Sequence, residues 1–560
     1  MKILVAALAA CVAVLGTSLP AFANPSDAAG APTARVIVGY RDGAALANVH
    51  PWRKGAPAKD VRTASQRRAD ALARRAGFAL TTGRVIGHRA QVVMAQGVDS
   101  ASLARRLAAD PDVAWAVVDQ RRRALTVPSD PLFSAGPAVN LQTLTGGPVV
   151  GQWYLREPTD LFRSATNAQA AWAKSTGNGV VVAVLDTGVL ADHVDLAGQL
   201  LSGYDFVLET IFSNDGDGRD AEASDPGDWC GLEPSSWHGT GVAGIVAATA
   251  NNGIGMAGLA HGAKVLPVRV LGKCGGRDSD IIAGMRWAAG VEVPGMSPNP
   301  NPTRVLNLSL GGGPEECTTA YQDAIAAVTA RGAVVVAAAG NSDGGPVGAP
   351  ANCPGVIAVA GLRHAGTKVG FSDLGPEIAI AAPGGNCVNI ETGQPCLYPI
   401  LTLSNSGLTV PAAGGSIYSD SFNISVGTSF AAPMVAATAA LILSARPDLS
   451  PAQVKQALQS GARPFPTSGA DNGSDATPVT TCQPPSLLKQ LQCYCVTGLC
   501  GAGMLDVSAA LAAAEALPVT PSAPDSGGGG GALSWPWLLA LLMATAALSA
   551  RPRRRPAGRG

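Results

Sequence analysis

The sequence predicts an α/β protein with a doubly wound, mostly parallel sheet, preceded by a small α+β domain. Two apolar runs, residues 179–185 and 334–339, are continuous, which is typical of strands that are buried on both faces of a parallel sheet. Strand-like and helix-like segments alternate around these runs, as in α/β folds. The chain of 560 residues is long enough for several domains and a large core.

The composition excludes several other classes of protein. Hydrophobic residues make up 47% of the chain and charged residues 14%, so the chain is neither disordered through charge nor a coiled coil. The 68 glycines lack the three-residue period of collagen. A globular protein with many tight turns remains.

The N-terminal segment predicts export. A lysine precedes an apolar run over residues 3–15 and a small-x-small site over 21–23, so we expect a signal peptide over residues 1–23. A short membrane anchor is the alternative, but the run is short for a bilayer. Cleavage would leave ten of the 11 cysteines, an even number that suits disulfides in an oxidising compartment. Zinc is the competing interpretation for the four cysteines over 482–500, whose spacing matches no zinc ribbon or finger.

Charge divides the rest of the chain into a basic region and an acidic body. Residues 24–125 carry 17 Lys and Arg against 8 Asp and Glu, whereas residues 126–525 carry 17 against 32. The two parts are expected to attract each other, and the acidic body argues against nucleic acid as a partner. Strand and helix patterns in the basic region predict a small α/β unit, with segments at 35–40, 64–76, 91–95, 99–109 and 113–118.

The C-terminal segment predicts contact with a membrane. A Pro- and Gly-rich linker over residues 517–531 precedes a segment over 532–560, in which 19 uncharged residues are followed by an arginine cluster. This order resembles the GlyGly-CTERM sorting tail of Gram-negative bacteria, which a rhomboid-type protease removes within the membrane. The alternative is a permanent anchor on a flexible linker.

Three motifs in the acidic body carry groups that could do chemistry. Asp186-Thr187-Gly188 ends the first apolar run, where open α/β sheets place their ligands, although alone it could be a turn or an aspartic-protease motif. His238 opens a glycine-rich helix start and could serve as a general base or be structural. Ser429 begins an apolar helix, where a serine is ordinarily an N-cap but also lies beside N–H groups that could stabilise an oxyanion.

Taken together, the motifs resemble those of the subtilisin family (subtilases, peptidase family S8) over about residues 150–515. The resemblance implies a subtilisin-like peptidase domain over 126–516, in which Asp186 orients His238, and His238 activates Ser429 as the nucleophile. It assigns Asn341, after the second apolar run, to the oxyanion hole. It also implies two substrate-binding edges, formed by Ser309, Leu310, Gly311 and Gly312 and by Gly275 and Gly276.

Calcium is the expected structural metal. Asp195 matches a calcium ligand of the family, and the loop at 251–255 resembles the rest of that site but is one residue longer. A second, acidic loop offers many hard oxygen ligands on a glycine-rich segment, as Ca²⁺ prefers, at Asp215, Asp217, Asp220 and Asp225. A solvated acidic loop is the alternative for the second site.

The sequence thus predicts a secreted serine endopeptidase of broad specificity with protein or peptide substrates. By resemblance, residues 24–125 are an inhibitor-type propeptide that the enzyme removes from itself within 119–129. Cysteine pairs 387–396, 230–274 and 317–353 are expected, the last two bracing the substrate cleft. We also expect a monomer, secreted or held at the cell envelope. The alternative function is a catalytically silent, subtilase-like surface binding protein.

Overall fold

The computed structural model describes residues 33–49, 56–119, 127–136, 150–311, 313–385, 398–420, 426–470, 479–486 and 488–518. The predicted signal peptide, most of the 517–531 linker and the 532–560 segment lie outside these residues, as do Gly312, Cys387 and Cys396. The described chain forms two compact units, which divide between Arg123 and Ala124.

The first unit is a four-stranded antiparallel sheet in the order β2-β3-β1-β4 with its helices. Its elements are β1 (Ala34–Tyr40), α1 (Ala45–Val49), α2 (Ala58–Ala76), β2 (Thr81–Gly87), β3 (Ala90–Ala95), α3 (Ser100–Ala108) and β4 (Val113–Val118). The predicted segments correspond to β1, α2, β3, α3 and β4. Sequence analysis did not predict β2, whose pairing with β3 has irregular register and whose residues are largely not buried. The carboxylate of Asp99 caps α3 by accepting a hydrogen bond from the Ser102 N–H.

The second unit contains a seven-stranded sheet in the order β11-β10-β9-β8-β5-β7-β6, in which every neighbouring pair is parallel. Its strands are β5 (Val181–Asp186), β6 (Tyr204–Asp205), β7 (Lys264–Arg269), β8 (Val305–Leu308), β9 (Val334–Ala338), β10 (Val356–Leu362) and β11 (Ile378–Pro383). Four further strands form two small sheets, β12 (Thr402–Asn405) with β13 (Ser416–Ser419), and β14 (Thr480–Thr481) with β15 (Cys493–Tyr494).

Helices cover both faces of the large sheet, so the predicted doubly wound α/β fold is confirmed. The helices of this unit are α4 (Pro131–Ser134), α5 (Ala168–Ala171), α6 (Thr210–Ser213), α7 (His238–Ala247), α8 (Asp278–Ala288), α9 (Thr319–Ala330), α10 (Thr428–Ala445), α11 (Pro451–Ser460), α12 (Thr497–Cys500) and α13 (Val507–Ala516). One hydrophobic core lies under α7 and α10, and a second lies under α8 and α9. The apolar run of each central strand is buried because both cores exclude water from it.

The strand order reverses at β5, whose neighbours are β7 on one side and β8 on the other. In open parallel sheets, such a reversal leaves a crevice at the carboxyl ends of the strands. Asp186 is the last residue of β5 and therefore lies at this crevice. Among the described residues, α10 is long and apolar enough to span a membrane, but 83% of it is buried, as in a core helix.

Candidate active site

Asp186 and His238 form a hydrogen-bonded pair at the carboxyl edge of the sheet. The Nδ1 atom of His238 lies 2.8 Å from Oδ1 and 3.0 Å from Oδ2 of Asp186. Asp186 is fully buried, and its Oδ1 also accepts a hydrogen bond from the Thr187 N–H at 2.8 Å. Burial lowers the pKa of His238, whereas the negative charge of Asp186 and the hydrogen bond to it raise this pKa. The raising effects are larger together, so the pKa of His238 lies above the ordinary value of 6.5.

The helix that carries His238 begins in a way that brings this residue against β5. His238 is the first residue of α7, and Trp237 before it has a left-handed backbone with φ of 53°. Glycine is required at position 239, because a Cβ atom there would lie 2.2 Å from the Gly188 carbonyl oxygen. The small residue thus allows the imidazole to reach the buried carboxylate.

Ser429 lies in the first turn of α10, after Gly427 with φ of 146°. Its hydroxyl donates to the Ser309 carbonyl at 3.2 Å, and the Ser309 hydroxyl donates to the Ser429 carbonyl at 2.6 Å. The second bond replaces a helical one, because Pro433, four residues further on, has no N–H to donate to that carbonyl. Ser429 and His238 line the same cavity although the serine hydroxyl is bonded to Ser309.

Asn341 follows β9 through Gly340, and its amide is oriented by a residue that sequence analysis did not single out. The N–H and the hydroxyl of Thr428 both donate to the Asn341 Oδ1 at 3.0 Å. Because Oδ1 is occupied, the Nδ2 group is the part of the amide that remains to donate. Thr428 lies inside the serine motif, but its contact with Asn341 joins residues that are 87 positions apart in the sequence. Such a contact produces no periodic sequence pattern from which it could be predicted.

Most residues predicted for catalysis and substrate binding line one cavity of about 590 Å³, within the usual size range of ligand sites, whereas Asp186 is buried behind His238. Its lining includes His238, Ser429, Asn341, Ser309, Leu310, Gly311, Gly275 and Gly276. Gly312 lies outside the described residues. Gly275 has φ of 105° and closes a hairpin turn with Gly272, which places Gly275 and Gly276 at the cavity edge.

Two disulfides hold the segments around this cavity, as the sequence predicted. Cys230–Cys274 links the segment before His238 to the edge at Gly275. Cys317–Cys353 links the segment after Gly311 to the segment after Pro350. The remaining described cysteines form the disulfides Cys482–Cys493 and Cys495–Cys500. Because these four cysteines are oxidised, they have no thiolate groups with which to bind zinc. The predicted pair Cys387–Cys396 lies outside the described residues.

The environment of Asp195 fits a cation. Its buried carboxylate accepts hydrogen bonds from the Asn252 side chain and the Met256 N–H, each at 2.8 Å. Burial raises the pKa of Asp195, and no lysine or arginine among the described residues pairs with it. A buried carboxylate is a hard oxygen ligand of the kind that Ca²⁺ prefers, whereas the neighbouring Asn252 presents its Nδ2 group to Asp195, and its Oδ1 accepts from the Ile254 N–H.

The acidic loop does not fit a cation in the same way. The Arg269 guanidinium lies between Asp205 and Asp215, 2.6 Å from the Asp215 carboxylate, so a positive charge is already present. Asp225 instead accepts from the Thr187 hydroxyl at 2.6 Å, and burial raises its pKa to about 7. Asp217 and Asp220 complete the predicted set; within the described part of the chain, neither these carboxylates nor Asp195 belong to a group of three or more clustered acidic, histidine or cysteine ligands. The geometry therefore gives no support to a calcium site here.

A parallel α/β sheet whose carboxyl edge brings an aspartate, a histidine and a serine to one open cleft has the arrangement of an enzyme with a serine nucleophile. Comparison with known proteins agrees with this class. The chain belongs to the subtilase family, peptidase family S8, whose sequence profile matches residues 177–480. This is a family of serine proteases.

Individual relatives extend the similarity beyond the matched region. The chain is 39% identical over 519 residues to the "Extracellular protease" of Xanthomonas campestris pv. campestris, covering 89% of this chain and 76% of that protein. It is 36% identical to the "Extracellular basic protease" of Dichelobacter nodosus, covering 73% of this chain and 63% of the relative. Among solved structures, a protease from Pseudoalteromonas arctica is similar with a TM-score of 0.56 and 39% identity, covering 70% of this chain and 100% of the other.

Proposed function

We propose that this protein is a secreted serine endopeptidase of broad specificity that acts through Asp186, His238 and Ser429. The observation that carries the proposal is that His238, Ser429 and Asn341 line one open cavity at the switch point of the sheet, and that His238 is hydrogen-bonded to the buried Asp186 behind it. The names of two relatives, both extracellular proteases, support secretion. The glycines at the cavity edges favour tolerance of different substrate side chains, since a glycine has no side chain that could exclude one.

In the proposed reaction, the neutral imidazole of His238 takes the proton of Ser429 through Nε2. The Ser429 Oγ then forms a bond to the carbonyl carbon of the substrate. Asp186 keeps the Nδ1 proton of His238 in place and stabilises the imidazolium that forms. His238 next protonates the leaving nitrogen as the C–N bond breaks, and a water molecule hydrolyses the remaining ester by the same route.

Asn341 would stabilise the negative oxygen of the tetrahedral intermediate. The bonds from Thr428 to its Oδ1 favour presentation of Nδ2 to the cavity. The N–H of Ser429, in the first turn of α10, is the second expected donor. Loss of one such donor lowers turnover by about 10²–10³, a magnitude that comes from a member of this family.

Maturation and sorting complete the proposal. Residues 1–23 would direct export, and residues 24–125 would act as a propeptide that Ser429 removes. The segment over 532–560 would anchor the chain in the membrane, or serve as a sorting tail for a rhomboid-type protease. The mature domain over 126–516 would act as a monomer. Its disulfides suit an oxidising compartment outside the cytoplasm.

Calcium would bind at Asp195 and stabilise the fold. The buried carboxylate of Asp195 and the neighbouring Asn252 would hold the ion, which would supply the positive charge that their surroundings lack. Such a site contributes to stability and takes no part in the proton transfers described above.

Comparison of the wild type with Ser429→Ala tests the proposed function. Each chain is expressed with its signal peptide, and casein hydrolysis and the mass of the mature chain are followed. We expect the wild type to cleave casein and lose its N-terminal unit, and the variant to do neither. If both chains behave alike, the silent binding protein becomes the better interpretation.

A further inference from the structure

A disulfide-closed loop near the C-terminus contacts the turn that carries Asn341. We call residues 482–493 the C-terminal strap, of which Leu487 lies outside the described residues, and residues 340–345 the oxyanion turn. The Cys482–Cys493 bond closes the strap. The strap follows the region matched by the family profile, which ends at residue 480.

Asp343 is the point of contact in the oxyanion turn, and each of its polar groups is bound. Its N–H donates to the Phe371 carbonyl at 3.0 Å, and its carbonyl accepts from the Gln490 N–H at 2.7 Å. Its carboxylate pairs with the Lys489 ammonium at 2.7 Å. Two of these three bonds come from the strap. Asp343 has φ of 56°, in the left-handed region that favours glycine, so contacts from outside the turn help to stabilise this backbone conformation.

The strap is itself well fixed where it meets the turn. The side chain of Gln490 accepts from the Gln483 N–H at 2.8 Å and donates to the Gln483 carbonyl at 3.0 Å, which ties the two sides of the loop together. At its end, the Cys493 carbonyl accepts from the Lys368 N–H at 3.0 Å. The disulfide and the hydrogen bonds between Gln490 and Gln483 already restrict the conformations of the strap. The strap can therefore restrain a neighbouring turn with little further loss of conformational entropy.

The other side of the oxyanion turn is held by Asp373. Its Oδ1 accepts from the Ser342 N–H at 2.8 Å, and its own N–H donates to the Gly340 carbonyl at 3.1 Å. The buried Lys368 ammonium supports this segment by donating to the carbonyls of residues 369, 370 and 372 at 2.7–3.0 Å. Asn341 lies between Gly340 and Ser342, which are both bonded to Asp373, and the strap binds the next residue, Asp343.

We propose that the C-terminal strap is a positioning element for the Asn341 amide during peptide hydrolysis. By holding Asp343, it fixes the backbone from which the Asn341 side chain projects, and so keeps Nδ2 where the negative oxygen develops. The strap touches neither substrate nor reacting atoms in this role. The inference rests on the proposed function, because an oxyanion donor has meaning only in a peptidase.

The effect of the strap should be seen in the transition state rather than in substrate binding. A misplacement of about 1 Å in a catalytic group can cost about 10²-fold in rate. An interaction that strengthens only in the transition state changes kcat and leaves KM unchanged. A strap that serves only as a structural staple would change the unfolding midpoint and leave kcat per folded molecule unchanged.

The test compares the full chain with the double variant Cys482→Ser/Cys493→Ser, which opens the strap. Cys495→Ser/Cys500→Ser is the matched control, because it also removes one disulfide from the same C-terminal segment. The kcat and KM values are measured with a peptide p-nitroanilide. Inhibition is measured with a peptide aldehyde, which forms a tetrahedral adduct with the serine, and with the matched peptide alcohol, which does not.

We expect opening of the strap to lower kcat by about tenfold or more and to weaken aldehyde binding in parallel. KM and alcohol binding should stay within about twofold of the wild type, and the control should retain kcat. A kcat equal to that of the control, or a loss confined to KM, would overturn the proposal. Failure of the proposed function itself looks different, because the wild type would then be as inactive as Ser429→Ala.

Substitutions at Asp343 give a second route if the double cysteine variant does not fold. Both substitutions act mainly through the backbone: Asp343→Ala makes the left-handed conformation less favourable, and Asp343→Gly makes other conformations of the turn more accessible. We expect both to lower kcat without raising KM. Lys489→Met should lower kcat less than about twofold, because the Lys489 side chain is 67% exposed and exposed ion pairs contribute little. Unchanged kcat in both Asp343 variants would contradict the proposal.

Discussion

At the residue scale, the proposed mechanism makes the Asp186–His238 pair the determinant of the pH range of activity. In the proposed mechanism His238 must be neutral to accept the serine proton, and its pKa lies above the ordinary value of 6.5. Because a raised pKa keeps the imidazole protonated to higher pH, activity should be lost on acidification at a higher pH than an unperturbed histidine would give. The two carboxylate contacts at 2.8 and 3.0 Å are the cause.

The first prediction concerns this pH profile. The acid limb of kcat/KM for a peptide substrate should have its midpoint above 6.5. Asp186→Asn should lower kcat by about 10⁴, because the neutral amide no longer holds the required tautomer of His238. The control Asp192→Asn changes an exposed aspartate and should leave profile and rate unchanged. A midpoint at or below 6.5 in the wild type would contradict the raised pKa of His238, and an unchanged kcat in Asp186→Asn would contradict the assigned role of Asp186.

The second prediction concerns the orientation of Asn341. Thr428→Val removes a hydroxyl that donates to the Asn341 Oδ1, so the amide should lose part of its alignment. We expect kcat to fall by about tenfold, less than the roughly 10²–10³ for loss of the donor in Asn341→Leu, with KM unchanged in both. Thr438→Val is the matched control, since this buried threonine of the same helix bonds only within it, to the Met434 carbonyl. Equal kcat values in the two threonine variants would reject the orienting role.

At the scale of elements, α10 combines the proposed nucleophile Ser429 near its start with a proline at its sixth residue. Pro433 cannot supply the helical hydrogen bond to the Ser429 carbonyl, and the Ser309 hydroxyl supplies one instead. The segment after β8 and α10 are therefore linked by two hydrogen bonds between Ser309 and Ser429. This linkage holds Ser429 against the predicted substrate-binding edge.

The third prediction tests this linkage through stability. Ser309→Ala leaves the Ser429 carbonyl without its partner and should lower the free energy of unfolding by about 1–3 kcal/mol. Adding Pro433→Ala should recover part of this loss, because the new N–H can bond to the same carbonyl. Denaturant unfolding is measured in a Ser429→Ala background to prevent self-digestion. If Pro433→Ala gives the same change with and without Ser309, the two residues do not share this role.

At the scale of the whole molecule, the structure separates the two predicted calcium sites by their surroundings. Asp195 is a buried carboxylate with neutral hydrogen-bond donors, whereas Asp215 faces the Arg269 guanidinium. Binding of an ion to the folded state alone stabilises the fold by mass action, by about 2.7 kcal/mol at a concentration one hundred times Kd.

The fourth prediction follows from this difference. Addition of EDTA should lower the Tm of the protein, and the difference between calcium and EDTA should vanish in Asp195→Asn. Asp215→Asn should retain the calcium effect, since Arg269 already neutralises that carboxylate. Differential scanning calorimetry in the Ser429→Ala background measures both. Loss of the calcium effect in Asp215→Asn but not in Asp195→Asn would reverse the assignment.

The sequence by itself predicted the fold class and brought out the candidate site. Continuous apolar runs indicate buried parallel strands, because a strand covered on both faces has no face in contact with water that would need polar residues. This pattern located β5 and β9. The motifs around Asp186, His238 and Ser429 were visible because each combines a reactive side chain with neighbours that shape a turn or a helix start. Short or polar strands such as β2 lack such a pattern and were missed.

The tertiary structure decided the contacts that join distant segments. Thr428 reaches Asn341 across 87 residues, and Lys489 reaches Asp343 across 146. Arg269 forms an ion pair with Asp215, a carboxylate that the sequence alone had predicted as a calcium ligand. Periodicity and local spacing report which face of an element is buried, but these contacts depend on how the elements are packed. Hydrogen bonds act over about 3 Å in space, and only the folded chain brings such partners together.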